Sequence, residues 1–381
     1  MNKVKLGIIG FGTMGSAHYK YIKDNQVKNC EITAIFDVKE IPISNYSNEI
    51  KAFTNINNFF DSKLFDAVLI ATPHYLHPEY AIKAFKHNYH VLLEKPAGVY
   101  TKQVQLMNNT ALKSDKKFSI MYNQRINPLY KKAKELVDLG EIGQLKRTIW
   151  IITNWYRPQS YYNSSSWRAT WQGEGGGVLL NQDPHQLDLW QWICGMPTSV
   201  HAYCYFGKYH DIEVEDDVTA FVEFQNGATG VFITSTGETP GTNRLEISGD
   251  KGQIIIENNK LTFKQLRISE RQFNKEFTGG FGAPECWDIS VPIEKEDKQH
   301  AGITQNFINS ILNDEPLIAP GIEGINGLTL SNAMLLSTWE NKKITLPLDE
   351  DKFLQKLNEK IASSTYKKKV KEIIMDTKNT Y

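Results

Sequence analysis

Cysteine is scarce in this 381-residue sequence: Cys30, Cys194, Cys204 and Cys286 lie far apart, with no CxxC pair. A disulfide framework or a zinc knuckle needs grouped cysteines, so neither is expected and the thiols read as reduced and cytoplasmic. Net charge is missing too. The 43 basic and 43 acidic residues cancel, which leaves no overall field to recruit nucleic acid, an acidic membrane or a polyanion. No apolar run approaches the roughly 18 residues of a membrane helix. The opening "MNKVKLGIIG" is broken by glycines and lacks a cleavage site, so it makes a poor signal peptide. There is no internal repeat. What is present, 41% hydrophobic and 23% charged residues, suits a globular chain of two or three domains acting on a small neutral ligand.

The first 120 residues alternate short apolar runs with amphipathic ones. Strands are expected at Val4 to Ile9, Glu31 to Phe36, Ala67 to Thr72, His90 to Glu94 and Lys117 to Tyr122. Helices are expected at Thr13 to Asp24, Pro78 to Asn88 and Thr101 to Lys113. "AVLIAT" is apolar without alternation, as in strands covered on both faces. This order implies a doubly wound parallel sheet over residues 1–122. Within residues 38–62 only "KAFTN" hints at a strand.

Residues 123–349 read as a second α/β domain with a mostly antiparallel sheet. Asn127 to Leu139 suggests a connecting helix, "GQLKRTIWIITNW" a long strand and Val178 to Ile193 a helix. Six short strands follow between residues 198 and 266, joined by turns such as "QNGA" and "GDKGQ". Gly302 to Asn313 and Gly324 to Glu340 read as helices, and the basic tail of residues 350–381 as a surface helix with a frayed end.

"GIIGFGTMG" places Gly10, Gly12 and Gly15 in GxGxxG spacing between a strand and a helix, with Thr13 and Met14 inside the turn. Glycines there allow the tight turn, the approach of backbone to a pyrophosphate and close helix packing, with the phosphates at the helix N-terminus. Asp37 ends the second strand, where a carboxylate accepts from the ribose hydroxyls and repels a 2′-phosphate. NAD is therefore expected over NADP, although the nearby Lys39 softens that repulsion. "ATPHYLH", with Thr72, Pro73 and His77, and "EKP", with Glu94 and Lys95, fall at the carboxyl ends of strands, where such sheets bind ligands. An ammonium at Lys95 can stabilise the oxygen that exchanges a proton during hydride transfer.

A second cluster, "GEGGGVLLNQDPHQLDLWQWICG", spaces Asn181, His185 and Asp188 along one helix face, with Pro184 expected to kink it. His185 is a candidate proton-transfer group. Asp183 and His185 lack further ligand spacing, so no metal is expected. "NWYRPQSYYNSSSWRATW" is dense in aromatic and hydrogen-bonding groups, and Tyr156, Trp167, Arg168 and Trp171 are candidates to bind a sugar. Equally, these residue types make interfaces. Arg168 also suits a carboxylate or phosphate.

Together "GIIGFGTMGSAH", "ATPHYLH", "EKP", "YNQRINPLYKKAKELVDLGEIGQL", the "GEGGG" segment and "NAMLLSTWENKKITLPL" resemble the Gfo/Idh/MocA oxidoreductases over nearly the whole chain to about residue 348. The resemblance implies a Rossmann domain, a C-terminal open-faced sheet used for homodimers or homotetramers, and NAD(P)-dependent redox chemistry on sugars or cyclitols. It also implies catalytic roles for Lys95 and His185 and places Arg125 near the cofactor. Many members have aspartate four residues before the histidine. This chain has Asn181, which binds and orients substrate but cannot hold an imidazolium by charge. His74, where asparagine is frequent, is a smaller departure. The expected activity is hydride transfer between NAD and a carbinol carbon. A non-catalytic dinucleotide sensor and a sugar-processing enzyme with tightly held NAD are the alternatives.

Overall fold

The computed structural model describes residues 3–371, apart from 43–45, 47 and 48. The chain begins β1 (Val4–Ile9), α1 (Thr13–Lys23), β2 (Cys30–Phe36), β3 (Lys51–Phe53), α2 (Ile56–Asp61), β4 (Ala67–Ile70), α3 (Leu76–Lys86), β5 (His90–Leu93), α4 (Thr101–Ala111) and β6 (Phe118–Ile120). The six strands pair in parallel in the order β3-β2-β1-β4-β5-β6. Every residue of β4 is fully buried, because helices cover both faces of the sheet. The strand order runs outward in both directions from β1 and β4. The connections leaving their paired carboxyl ends therefore diverge and open a crevice.

After a 3₁₀ turn at Asn123–Ile126 come α5 (Pro128–Asp138), β7 (Leu145–Ile152), α6 (Gln159–Asn163), α7 (Val178–Asn181) and α8 (Pro184–Cys194). The strands β8 (Ser199–Phe206), β9 (Glu215–Glu223), β10 (Thr229–Ser235), β11 (Asn243–Gly249), β12 (Gly252–Glu257) and β13 (Lys260–Leu266) follow, then α9 (Glu270–Glu276) and β14 (Cys286–Ile289). α10 (Gln299–Asn313), α11 (Gly324–Glu340), β15 (Ile344–Thr345) and α12 (Glu350–Ser363) complete the fold. The nine-stranded sheet runs β14-β13-β12-β11-β7-β10-β9-β8-β15 and is antiparallel except where β7 meets β10. One face packs under α8 and α11, which bury Trp150, Trp190 and Phe232. On the other face Tyr203, Tyr205 and Phe221 are exposed. α5 starts cleanly because Pro128 occupies the first helical position and the Asn127 side chain accepts from Leu129 N at 3.0 Å.

Three sequence expectations are revised. Val178 to Ile193 is not one kinked helix: the chain breaks at Gln182 and Asp183, and Pro184 is the first residue of α8, where its missing N–H costs nothing. Asn181 and His185 therefore belong to separate helices. Residues 299–320 return to the first sheet, with α10 against α1 and Ile120 N donating to Ala319 O at 3.0 Å. Finally, the tail helix ends at Ser363, and residues 372–381 lie outside the described part.

Candidate active site

A cleft of about 960 Å³ opens at the carboxyl ends of β1, β2, β4 and β5, and the loop before α7 closes its far side. Gly10, Gly12, Thr13, Met14, Asp37, Thr72, Pro73, His74, His77, Glu94, Lys95, Trp167, Arg168 and Asn181 all line it. A second cavity of about 410 Å³, beside Asn127, Tyr130 and Asn243, contains none of the residues singled out from sequence.

The glycine turn has room for a dinucleotide. Gly10 sits at φ +89°, where a side chain would also press within 2.6 Å of Ala71 O. A Cβ on Gly15 would lie 2.0 Å from Gly10 O, so this glycine serves packing between turn and helix. A Cβ on Gly12 would meet nothing within 4 Å, because the residue faces the open cleft. Gly12 caps α1 without a side-chain hydrogen bond, so the helix N-terminus presents backbone N–H groups to an anion. Asp37 is pinned beside this turn, its Oδ2 accepting from Phe11 N at 2.7 Å and its Oδ1 from Lys39 N at 2.9 Å.

Glu94 and Lys95 point different ways. Glu94 Oε1 lies 2.7 Å from His18 Nε2, and Oε2 accepts from Lys95 N at 3.1 Å. Burial alone would raise the Glu94 carboxyl, but the bond and charge of His18, with His300 and Lys95 nearby, hold it at about 2. It thus fixes the end of β5 from α1. His77 ties the neighbouring loops: its Nδ1 is 2.7 Å from Pro96 O and its Nε2 2.8 Å from Thr72 O.

Lys95 crosses the cleft. Its ammonium donates to Asn181 O at 2.8 Å. Burial lowers its pKa below the usual lysine range, Glu94 opposes that shift, and Arg168 adds to it. His185 is buried at 1% exposure and does not line the cleft. Burial first, then Lys95 and His300, push the imidazole well below its ordinary pKa, so it is neutral. Its ring meets Tyr122 edge-on, with centroids 6.3 Å apart.

Asn181 is held by a carboxylate that sequence reasoning passed over. Its Nδ2 donates to Glu174 Oε1, and its Oδ1 accepts from Tyr161 Oη at 3.2 Å. Glu174 also accepts from Ala169 N and stands 3.8 Å from Arg168 Nη1. Burial raises the Glu174 carboxyl against the pull of Arg168. The signal was a lone acid among glycines in "QGEGGG". Arg168 lies against the rings of Tyr161 and Trp167, 4.4 and 4.8 Å from their centroids. Asp183, weighed in the sequence only as a metal ligand, is buried at the start of α8. At 0% exposure it is the N-cap residue of α8 but its carboxylate makes no capping bond, and Thr234 stands close to it. Burial raises its carboxyl to about 7 against the pull of Thr234, Arg157 and Lys95.

Besides Gly15 and His185, three further sequence candidates lie outside the cleft lining. Arg125, expected near the cofactor, is buried away from the cleft. Its Nε and Nη2 donate to Asp188 at 2.8 and 2.6 Å, and its Nη1 to Glu323 at 2.6 Å. A buried guanidinium needs such compensation, and Asp188 supplies it in fork geometry. Trp171 is packed against Phe206 and Trp339, both with ring centroids 5.6 Å away. Tyr156 faces solvent outside the cleft.

Comparison with known proteins identifies the family of the chain. Residues 4–122 match the oxidoreductase family with an NAD-binding Rossmann fold, and residues 130–255 match the Gfo/Idh/MocA C-terminal domain. The chain is 25% identical over 357 residues to myo-inositol 2-dehydrogenase of Thermotoga maritima, covering 90% of this chain and 98% of that protein. It is 22% identical over 352 residues to inositol 2-dehydrogenase of Rhizobium meliloti, covering 90% and 99%. The WlbA dehydrogenase of Bordetella pertussis, solved with NADH and UDP-GlcNAcA, shares the fold with a TM-score of 0.77 at 24% identity over 91% of this chain and 100% of that one. Two matched domains in sequence, carrying a dinucleotide turn and an opposed lysine in structure, place the chain in the Gfo/Idh/MocA family of NAD-binding oxidoreductases.

Proposed function

We propose that the protein transfers hydride between NAD and a secondary carbinol or keto carbon of a sugar or cyclitol. The observation that carries this reading is the Lys95 ammonium, which reaches from the end of β5 to the Asn181 carbonyl across a cleft that begins at the glycine turn. Gly10, Gly12 and the N-terminus of α1 would hold the pyrophosphate, and Asp37 the adenosine ribose. When bound, NAD supplies the hydride acceptor. Lys95 donates an N–H to the substrate oxygen and stabilises its developing charge. His185 is neutral and buried behind the cleft lining, so a substrate hydroxyl must reach past that lining for the imidazole to take its proton in oxidation and return it in reduction. Asn181, Trp167 and Arg168 orient the substrate, with the tryptophan face suited to sugar C–H groups. Relatives named for inositol and levoglucosan oxidation support the substrate class.

The test is a panel of inositols, sugars, sugar acids and lactones assayed with NAD and NADP in both directions, followed by nicotinamide absorbance. Turnover of at least one polyol with NAD is expected. Dinucleotide binding without turnover of any polyol would overturn the reading.

We further assign the open face of the nine-stranded sheet, with Tyr203, Tyr205 and Phe221 exposed, to self-association. The cytoplasm, where four unpaired cysteines persist, is the proposed location.

A further inference from the structure

Beyond α12, residues 364–371 form neither helix nor strand, and Tyr366 and Lys368 are half-buried against the protein. Ser364 Oγ donates to the Glu213 carboxylate, Tyr366 Oη to Asp211 O at 2.6 Å, and Lys368 Nζ to Arg168 O. Lys371 N donates to Asn163 O at 2.8 Å. Thr365, Lys367 and Lys369 between them are exposed. These four contacts make residues 364–371 a docked strap.

The strap grips the wall of the cleft from outside. Its partners Asn163 and Arg168 bracket Ser164, Ser165, Ser166 and Trp167, all of which line the cleft with Arg168. Glu213, which receives Ser364, also accepts from Trp171 N at 2.9 Å. A loop carrying three consecutive serines buries little apolar surface of its own, and such segments open easily unless other contacts hold them. The Lys368 ammonium also lies in the field of Glu174, the buried carboxylate that receives Asn181 Nδ2. A buried carboxylate is costly without opposite charge beside it, and Lys368 joins Arg168 in supplying that charge. Hydrogen bonds thus join Glu174 to Asn181 and Asn181 O to Lys95 Nζ, with the Glu174 end lying in the field of the Lys368 ammonium.

We propose that the C-terminal strap, acting chiefly through Lys368, is a positioning element of the substrate site that holds Trp167 and Arg168 over the cleft and anchors Glu174 against Asn181. Lys368 is a positioning residue, because it acts through Arg168 and Glu174. The kinetic part of the test rests on the oxidoreductase reading above, and the structural part does not.

Lys368→Ala, Lys368→Arg and a chain ending at Ser363 are compared with the parent by hydrogen exchange, NAD binding and steady-state kinetics on the polyol that the parent turns over best. Exchange across residues 159–174 should quicken about tenfold in Lys368→Ala and in the shortened chain, as loss of a charged hydrogen bond implies. NAD affinity should stay within about twofold, because the strap touches nothing on the dinucleotide side. KM for the polyol should rise about tenfold with kcat nearly unchanged, the mark of lost substrate binding with the reacting groups left in place. Lys368→Arg should recover most of both losses. Unchanged exchange over 159–174 in the shortened chain would overturn the proposal, as would loss of NAD binding in step with substrate binding. A parent that turns over no polyol would defeat the oxidoreductase reading, and the exchange comparison would still decide the role of the strap.

Discussion

Lys95 Nζ donates to the carbonyl oxygen of Asn181 at 2.8 Å, joining the end of a parallel strand to the end of a helix 86 residues later in the chain. The bond fixes one N–H of the ammonium and leaves the others for a ligand oxygen. Lys95→Met and His185→Ala should each lower kcat by on the order of 10² to 10⁴. NAD binding, followed by fluorescence quenching, should change little. Because the His185 pKa lies well below its ordinary value, the base stays unprotonated as pH falls through 6.5. The acid limb of the oxidation rate should accordingly appear below that pH.

Asp37 accepts from two backbone amides and lies beside the glycine turn. Asp37→Asn keeps its shape and removes its charge. Affinity for NAD should fall about tenfold, the worth of a charge-assisted hydrogen bond. NADP should gain relative to NAD as the repulsion of the 2′-phosphate disappears. Titration with both dinucleotides checks this, and a parent that already prefers NADP would contradict it.

Arg125 is enclosed by Asp188 and Glu323. Arg125→Met strands the Asp188 carboxylate in the interior. It should cost about 3–5 kcal/mol in urea unfolding. Dinucleotide affinity of the folded fraction should remain at the parent value, because the guanidinium does not reach the cleft.

Asp183 binds its proton more tightly in the folded chain than in the unfolded one, since burial raises its carboxyl to about 7. The resulting stabilisation is complete below about pH 4 and is lost as pH rises towards 7. Asp183→Asn removes this dependence. The variant should match the parent near pH 4 and exceed it at pH 8 by on the order of 2–4 kcal/mol in denaturant unfolding. A parent whose stability does not decline between pH 5 and 8 relative to the variant would count against this.

Phe221 stands on the open sheet face with Tyr203 and Tyr205. Phe221→Asp places a charge in the proposed contact and should shift the protein from oligomer to monomer in sedimentation, with the fold retained by circular dichroism. A parent that sediments as a monomer at micromolar concentration would refute the assignment.

Much of this was written locally in the chain. Val4 to Ile9 became β1 with the same limits, and Gly324 to Glu340 became α11, because long apolar or amphipathic periods leave few alternatives. The glycine turn and the lysine after β5 were legible because parallel sheets bind ligands at predictable ends. Arg125 and Trp171 were misplaced because their chemistry suits a site and a core equally well, and only the neighbours decide between the two. Pro184 deceived through a boundary: the same ring that kinks a helix interior starts a helix comfortably.

By itself the sequence determined the order of the longer strands and helices, the dinucleotide turn with Asp37, and the presence of Lys95 at a strand end. These depend on spacing within a few residues. Tertiary structure alone decided that Lys95 meets Asn181, that Glu174 holds Asn181 in place, that Asp188 neutralises Arg125 and that Lys368 returns to Arg168. Those partners lie between 7 and 200 residues apart. Which buried charge finds which counter-charge depends on how helices and sheets pack, and local periodicity carries no record of that choice.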